Sequence, residues 1–216
     1  MTKKLEPRAK HNLVLFALNV IYIFILGIFD ELMDLHFVYY TVISLIFFIS
    51  ILTVKDTSNS SFVYPMVIVG LTWVTEILNL PLLSRITGYI SVAFFLVVIV
   101  LLIHRVVKSK EVGILEFLES INVYLLLGIA ASILFSAIYS FNHDAYNPPG
   151  QILISQADFI YYAFVTLTTL GYGDITPVDS LARSLSIFFS VAGQLYLAFI
   201  IATLVGKHLS GKQIEK

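Results

Sequence analysis

An all-α membrane protein is predicted, with six transmembrane helices and a short re-entrant helix and loop between the last two. Three observations carry the prediction. The 216-residue chain is 58% hydrophobic and only 12% charged, with a mean hydropathy of +0.92, whereas soluble domains carry about 25% charged residues. Its apolar residues fall in six runs, each near the roughly 20 residues that cross about 30 Å of hydrocarbon. Between the fifth and sixth runs lies a stretch too short to cross, ending in Thr168-Thr169-Leu170-Gly171-Tyr172-Gly173-Asp174. The chain has no cysteine, which excludes a disulfide framework, a thiolate nucleophile and a Cys-ligated metal.

Lys3, Lys4, Arg8 and Lys10 precede the first apolar run, residues 13–29, which Asp30, Glu31 and Asp34 close. The run is long and no small-residue cleavage site follows it, so it reads as a transmembrane helix rather than a signal peptide. Residues 37–54 form the second span and 55–61 a polar turn. The third span covers 62–80, with Pro65 in its first turn and Pro81 helping to stop it, both positions where proline is tolerated. The fourth, 86–103, ends at His104 and Arg105.

Between 108 and 120, Val112, Ile114, Leu115 and Leu118 alternate with Glu111, Glu116 and Glu119 at near-helical spacing. Two readings stand: an amphipathic interfacial linker over 109–120, lying on the membrane surface, or an ordinary loop extending the next helix. Residues 121–141 are the fifth span, and 142–156, with Pro148-Pro149-Gly150, an exposed loop. Ser155 followed by Asp158 reads as an N-cap with its returning acid. The helix it opens, 156–168, spans about 20 Å at 1.5 Å per residue, enough to enter the membrane but not to cross it. After Pro177, Ser180 can cap a sixth span over 181–205, and Gly206, Lys207 and His208 lead into a short polar tail. Irregular backbone at membrane depth is tolerated only where it is buried in protein or lines water. Helix, re-entrant helix, loop, helix is therefore the arrangement of a pore.

Charge gives the orientation. With the amino terminus cytoplasmic, all 13 lysines and arginines except Arg85 and Arg183 fall on the inner side, as the positive-inside rule requires. Both termini are then expected in the cytoplasm, with Asp30, Glu31, Asp34, Asp144, Asp158, Asp174 and Asp179 on the outer side of a plasma-membrane protein.

The loop itself has a distinct chemistry. Two glycines one residue apart, Gly171 and Gly173, allow positive φ values that other residues avoid, so that successive carbonyls can turn toward one side. Thr169 adds a hydroxyl, Tyr172 can wedge outward, and Asp174 places a carboxylate at the mouth. The run resembles the selectivity filter of the potassium channel superfamily, commonly T-V-G-Y-G-D, with Leu170 in the place of valine. From 121 to 208 the chain resembles the pore module of tetrameric potassium channels. The four preceding spans, within 1–108, occupy the place of the voltage-sensing domain in six-helix prokaryotic-type members, and 209–216 would be a short cytoplasmic tail.

The resemblance implies a four-fold homotetramer in which Thr169, Leu170, Gly171, Tyr172 and Gly173 form the filter. K+ would be held at Thr169, Leu170, Gly171 and Tyr172, with Thr168, Val165 and Asp174 as support. Tyr161 matches the aromatic that hydrogen-bonds the mouth carboxylate in relatives, and Tyr162 would join an aromatic cuff around Tyr172; as plain alternatives both are packing aromatics at the interface. Val165 stands where some bacterial relatives carry a buried glutamate. Gly193 falls at the family's gating hinge, although glycine in a membrane helix also serves close packing. Gln194, Leu197, Ala198 and Ile201 would line the cavity below the filter.

The chain departs from the family in the fourth span. Voltage sensors carry arginine at every third position, yet residues 86–103 contain no basic residue, so weak voltage dependence or none is expected. Glu76 is the acid recognised within a span; it is a functional group, the partner of Arg85, or a side chain that simply snorkels to the surface. The leading function is passive K+ conduction, with a less selective monovalent cation channel and a potassium-uptake transporter subunit as alternatives. An enzyme is not expected, since no nucleophile with its base, no phosphate loop and no metal cluster is visible. No cofactor and no nucleic acid are implied. The expected partners are three further copies, membrane lipid and the permeant K+.

Overall fold

The computed structural model describes residues 7–30, 35–54, 80–108, 113–147 and 154–214, with isolated positions between 67 and 78. Helix α1 is Pro7–Phe29, interrupted by a π-helical turn at Ile21–Ile25. Helix α2 is His36–Val54, α3 is Pro81–Lys108, α4 is Ile114–Phe141, the short α5 is Gln156–Leu167 and α6 is Ser180–Ile214. Among the described residues, five helices are long and apolar enough to cross a membrane. Most of the third span lies outside the described residues, Glu76 included, and so does the side chain of Arg85.

Several predicted boundaries move. Pro81 is the first residue of α3, the N1 position that its missing N–H suits. From Ile114 onward the acidic stretch belongs to the same uninterrupted helix as the fifth span, so within the described residues it is not a separate surface element; the Gly113 amide donates to Glu116 Oε2 at 3.0 Å and starts the helix. Helix α6 runs on to Ile214, where a polar tail was expected. Its cap is Asp179 rather than Ser180: Asp179 Oδ1 accepts from the amides of Leu181 at 2.8 Å and Ala182 at 3.4 Å, and an aspartate also favours the positive end of the helix dipole.

Two apolar clusters share α4. On one side Leu15, Ile46, Ile51, Phe95, Ile99 and Leu126 join α1, α2 and α3 to it. On the other, Phe135, Phe159, Tyr162, Leu167 and Phe189 join it to α5 and α6. Helix α3 buries Phe95, Val98, Ile99, Leu102 and Val106, an i, i+3, i+4, i+7 stripe that seats an uncharged face on its neighbours.

Apolar burial does not drive helices together in lipid, where close packing and polar contacts do, and a polar seam between α1 and α4 provides the second. Arg8 forks onto Glu119, Nε to Oε1 at 2.8 Å and Nη2 to Oε2 at 2.6 Å. Asn12 Nδ2 donates to the same Oε1 at 2.9 Å, Asn122 Nδ2 to the Asn12 carbonyl at 2.9 Å, and Asn19 Nδ2 to Asn122 Oδ1 at 3.3 Å. Arg8, Asn12 and Asn19 share a face because they lie four and seven residues apart. Glu119 is only 1% exposed, so Glu76 is not the sole acid in a spanning helix. Arg105, expected to be a topology signal, donates to the Thr53 carbonyl at the end of α2, where the helix dipole favours a cation.

Candidate functional site: the re-entrant helix and its loop

Helix α5 begins as its sequence predicts. Ser155 Oγ accepts from the Asp158 amide at 3.2 Å, and Asp158 Oδ2 accepts from the Ser155 amide at 2.8 Å, a reciprocal capping box. Twelve residues later the helix closes on Thr168, whose amide donates to the Phe164 carbonyl at 3.0 Å and whose hydroxyl donates to that same carbonyl at 2.7 Å. Its amino-terminal end is held against α1: Gln156 Nε2 lies 3.4 Å from the Tyr22 hydroxyl, and Tyr22 sits in the π-helical turn.

Helix α5 is wedged between two glycines. A Cβ on Gly128 of α4 would come within 2.3 Å of the Phe164 ring, and one on Gly193 of α6 within 2.4 Å of the Leu167 carbonyl oxygen. Both approaches are closer than any side chain permits, so each glycine lets α5 reach a neighbouring backbone. Gly128 was not singled out from the sequence; the cluster of small residues it opens in α4, with Ala130, Ala131 and Ser132, is the signal of close helix packing that could have found it. At Gly193 the packing reading is sufficient to explain the residue, and α6 passes through it without a break.

After Thr168 the backbone sign alternates. Thr169 has φ of +59°, Gly171 +60° and Gly173 +80°, and no other described non-glycine residue has positive φ. Leu170 and Tyr172 between them keep negative values, and such alternation turns successive carbonyls toward one side. The two glycines were expected to do this. Thr169 was not, and a β-branched residue there is strained by about 1–3 kcal/mol. The loop is tied from behind: the amides of Leu170 and Gly171 share the Val165 carbonyl, at 3.0 and 3.3 Å, and the Thr169 amide donates to the Thr166 carbonyl at 3.0 Å. Val165 therefore supports the loop through its backbone.

At the mouth, the Tyr161 hydroxyl donates to Asp174 Oδ2 at 2.6 Å, and the Ile175 amide donates to Oδ1 at 3.0 Å. The Tyr161 ring also stacks on Tyr172 with centroids 6.5 Å apart and planes within 7°. Tyr162 has a different position from the one expected. It is buried within its own chain, tilted on Phe135 at 4.9 Å, with no ring contact to Tyr172 among the described residues. Its hydroxyl meets Ser186 Oγ at 2.7 Å, and since Ser186 donates its own hydrogen to the Ala182 carbonyl, Tyr162 is the donor. It fastens α5 to α6. Downstream, strand β2, Thr176–Pro177, pairs antiparallel with β1, Tyr146–Asn147, which pins the chain leaving the loop to the loop that precedes α5.

The hydrogen bond from Tyr161, and secondarily the Ile175 amide, holds the Asp174 carboxyl below its ordinary value of 3.8. A folded-state pKa below the unfolded one stabilises the fold above the ordinary carboxylate range, and that contribution is lost as pH falls through the depressed folded value. Purified wild type should therefore be more thermostable than Tyr161→Phe at pH 7, with the gap narrowing as pH drops below about 4. A gap that widened on acidification would contradict the assignment.

On α6, Gln194, Ala198 and Ile201 are exposed and Leu197 is half-buried. The structure thus leaves this face uncovered below the loop, and brings Gln194 Nε2 within 3.3 Å of Thr169 Oγ1.

The site is thus a 12-residue helix that ends in a loop of alternating φ sign, set between two helices long and apolar enough to cross a membrane. Residues 123–207 match the sequence model of a family described as ion channel. Two-pore potassium channel 2 of Arabidopsis thaliana is 35% identical over 83 residues, 38% of this chain and 17% of that protein. Potassium channel K2 of Plasmodium berghei (strain Anka) is 32% identical over 89 residues, 39% of this chain and 6% of that protein. Two-pore potassium channel 4 of Arabidopsis thaliana is 30% identical over 103 residues, 48% of this chain and 33% of that protein. The chain thus spans a third or less of these curated relatives. No solved structure matches. The family match falls on the part of the chain that holds α5 and its loop, and all the likenesses are to channel proteins.

Proposed function

We propose that this protein is the subunit of a K+-selective channel, conducting passively across the plasma membrane as a homotetramer with both termini in the cytoplasm. The observation that carries the reading is the alternation of φ sign at Thr169, Gly171 and Gly173, immediately after a helix of 12 residues, too short to cross a bilayer. One chain offers one wall of carbonyls, and a closed cage around a dehydrated cation needs four related by a symmetry axis. In known potassium channels such carbonyls replace the hydration shell of the ion, and the same role is proposed for Thr169 through Tyr172. The 56% exposure of Leu170 and 67% exposure of Tyr172 in the single chain suit surfaces that neighbouring copies would cover. The α5 carboxyl end, aimed at the axis, would favour a cation below the filter. Residues 1–108 would act as a voltage-sensor-like domain without a sensor, because α3 presents an apolar stripe where gating charges would lie.

Bilayer recording of the purified protein tests this, with K+ and Na+ on opposite sides and the voltage stepped. The expected result is a reversal potential close to that of K+, block by barium, and an open probability that varies weakly with voltage. Gating charge far below the three to four per subunit of steep voltage sensors is expected. A reversal near zero would favour the less selective cation channel.

A further inference from the structure

Gln194 sits where two close approaches converge. The absence of a side chain at Gly193 lets α6 come against the Leu167 carbonyl, which a Cβ would meet at 2.4 Å. The next residue, Gln194, is thereby brought level with the start of the loop, exposed rather than packed, with Nε2 3.3 Å from the hydroxyl oxygen of Thr169. Thr169 is also the one described residue other than glycine with positive φ. We propose that Gln194 is a positioning residue for the Thr169 hydroxyl and sets how tightly the innermost filter site holds a cation. The proposal rests on the channel reading above.

The chemistry follows from donor and acceptor capacity. A threonine hydroxyl has one hydrogen and two lone pairs, and an amide –NH2 is a donor only. When Gln194 donates to Thr169 Oγ1, it occupies one lone pair and turns the positive end of its dipole toward an oxygen that would otherwise face the ion. Four copies around the axis make four such competitors. Conduction needs binding weak enough for the ion to leave, and this hydrogen bond weakens the site at the cavity end. The effect falls hardest on a doubly charged ion of similar size to K+, for which each coordinating oxygen counts more.

Barium is the probe. Full-length wild type, Gln194→Met and Gln194→Leu would be recorded in bilayers with barium added from the cytoplasmic side. Barium binding to the purified proteins would be measured by calorimetry in parallel, including Thr169→Ala backgrounds. Removing the donor should tighten barium block about tenfold, equivalent to about 1.4 kcal/mol, with longer blocked dwell times. In the Thr169→Ala background the substitution at 194 should no longer change barium affinity, an outcome that a merely structural role for Gln194 would not produce. Unchanged or weaker barium binding in both variants, or an equal change without the hydroxyl, would overturn the proposal while leaving the channel reading intact. A wild type that passes no K+-selective current would overturn the channel reading and the proposal with it.

Discussion

Gly193→Ala is expected to lower the thermal unfolding temperature of the purified protein by several degrees and to abolish K+ current. Two effects of opposite sign compete. In a helix interior, alanine is better than glycine by about 1 kcal/mol, so a glycine serving only as a hinge would give a more stable, less mobile variant. Here the new Cβ would lie 2.4 Å from a backbone carbonyl oxygen and 2.9 Å from Leu167 Cδ1. A side-chain end can swing away, whereas the carbonyl belongs to the last turn of α5 and can move only with the helix. Overpacking of this kind costs about 1–3 kcal/mol or more, repeated in every copy, so the clash outweighs the propensity gain. The displaced α5 would also take with it the Val165 carbonyl that holds Leu170 and Gly171. Differential scanning fluorimetry and flux of a K+ surrogate into liposomes read both consequences. An unfolding temperature raised by the substitution, with current altered only in its gating, would favour the hinge.

The second large effect is expected at the seam between α1 and α4, and it should be asymmetric. Arg8→Met leaves the Glu119 carboxylate, 1% exposed, without its forked guanidinium; losing one partner of a buried pair costs about 3–5 kcal/mol. Glu119→Leu leaves the arginine, whose side chain is 31% exposed and whose long stem can carry its charge to water, so the cost should be smaller. The double variant Arg8→Met with Glu119→Leu should be more stable than Arg8→Met alone, because the fully buried carboxylate is then gone, while the longer contact of Arg8 with Glu116, at 3.7 Å, is lost in both. Unfolding temperatures of the four proteins, wild type included, complete the cycle. A double variant less stable than either single one would show that the seam does not act as a coupled pair.

The contrast between these sites and the filter shows where the sequence was informative. The capping box at Ser155 and Asp158, the length of α5 and the positive φ at Gly171 and Gly173 were legible from the chain, whereas the bond from Tyr161 to Asp174 was implied by the family resemblance. Each depends on residues within thirteen positions of one another, whose geometry is fixed by local backbone sterics and short-range hydrogen bonding. Hydropathy likewise located four of the long helices to within a few residues at one or both ends, because bilayer thickness sets their length. The extension of α6 to Ile214 lay beyond that reach, since hydropathy reports where lipid ends and not where a helix does.

What only the tertiary structure decided is how segments far apart in sequence meet. Arg8 and Glu119 are 111 positions apart, so each was read from its own surroundings, as an orientation signal and as the polar face of an amphipathic stretch. The clue that did exist was Asn12 and Asn19, polar residues two turns apart in an apolar helix, which need partners in a medium without water. That Tyr162 turns toward Ser186 rather than Tyr172 could not be read from the sequence, because it depends on which face of α5 packs on α6, about 100° around the helix from the face that carries Tyr161. Gly128 and Gly193 are glycine because of what stands opposite them, Phe164 and Leu167, and that is a fact of packing between helices. The sequence by itself determined the apolar, membrane-spanning character of the long helices, the short helix α5 and the left-handed backbone at its two loop glycines, since these follow from composition and local conformation. The clamp of α1 on α4, the wedging of α5 and the contact of Gln194 with Thr169 had to wait for the fold, since they arise from long-range approach that no local rule encodes.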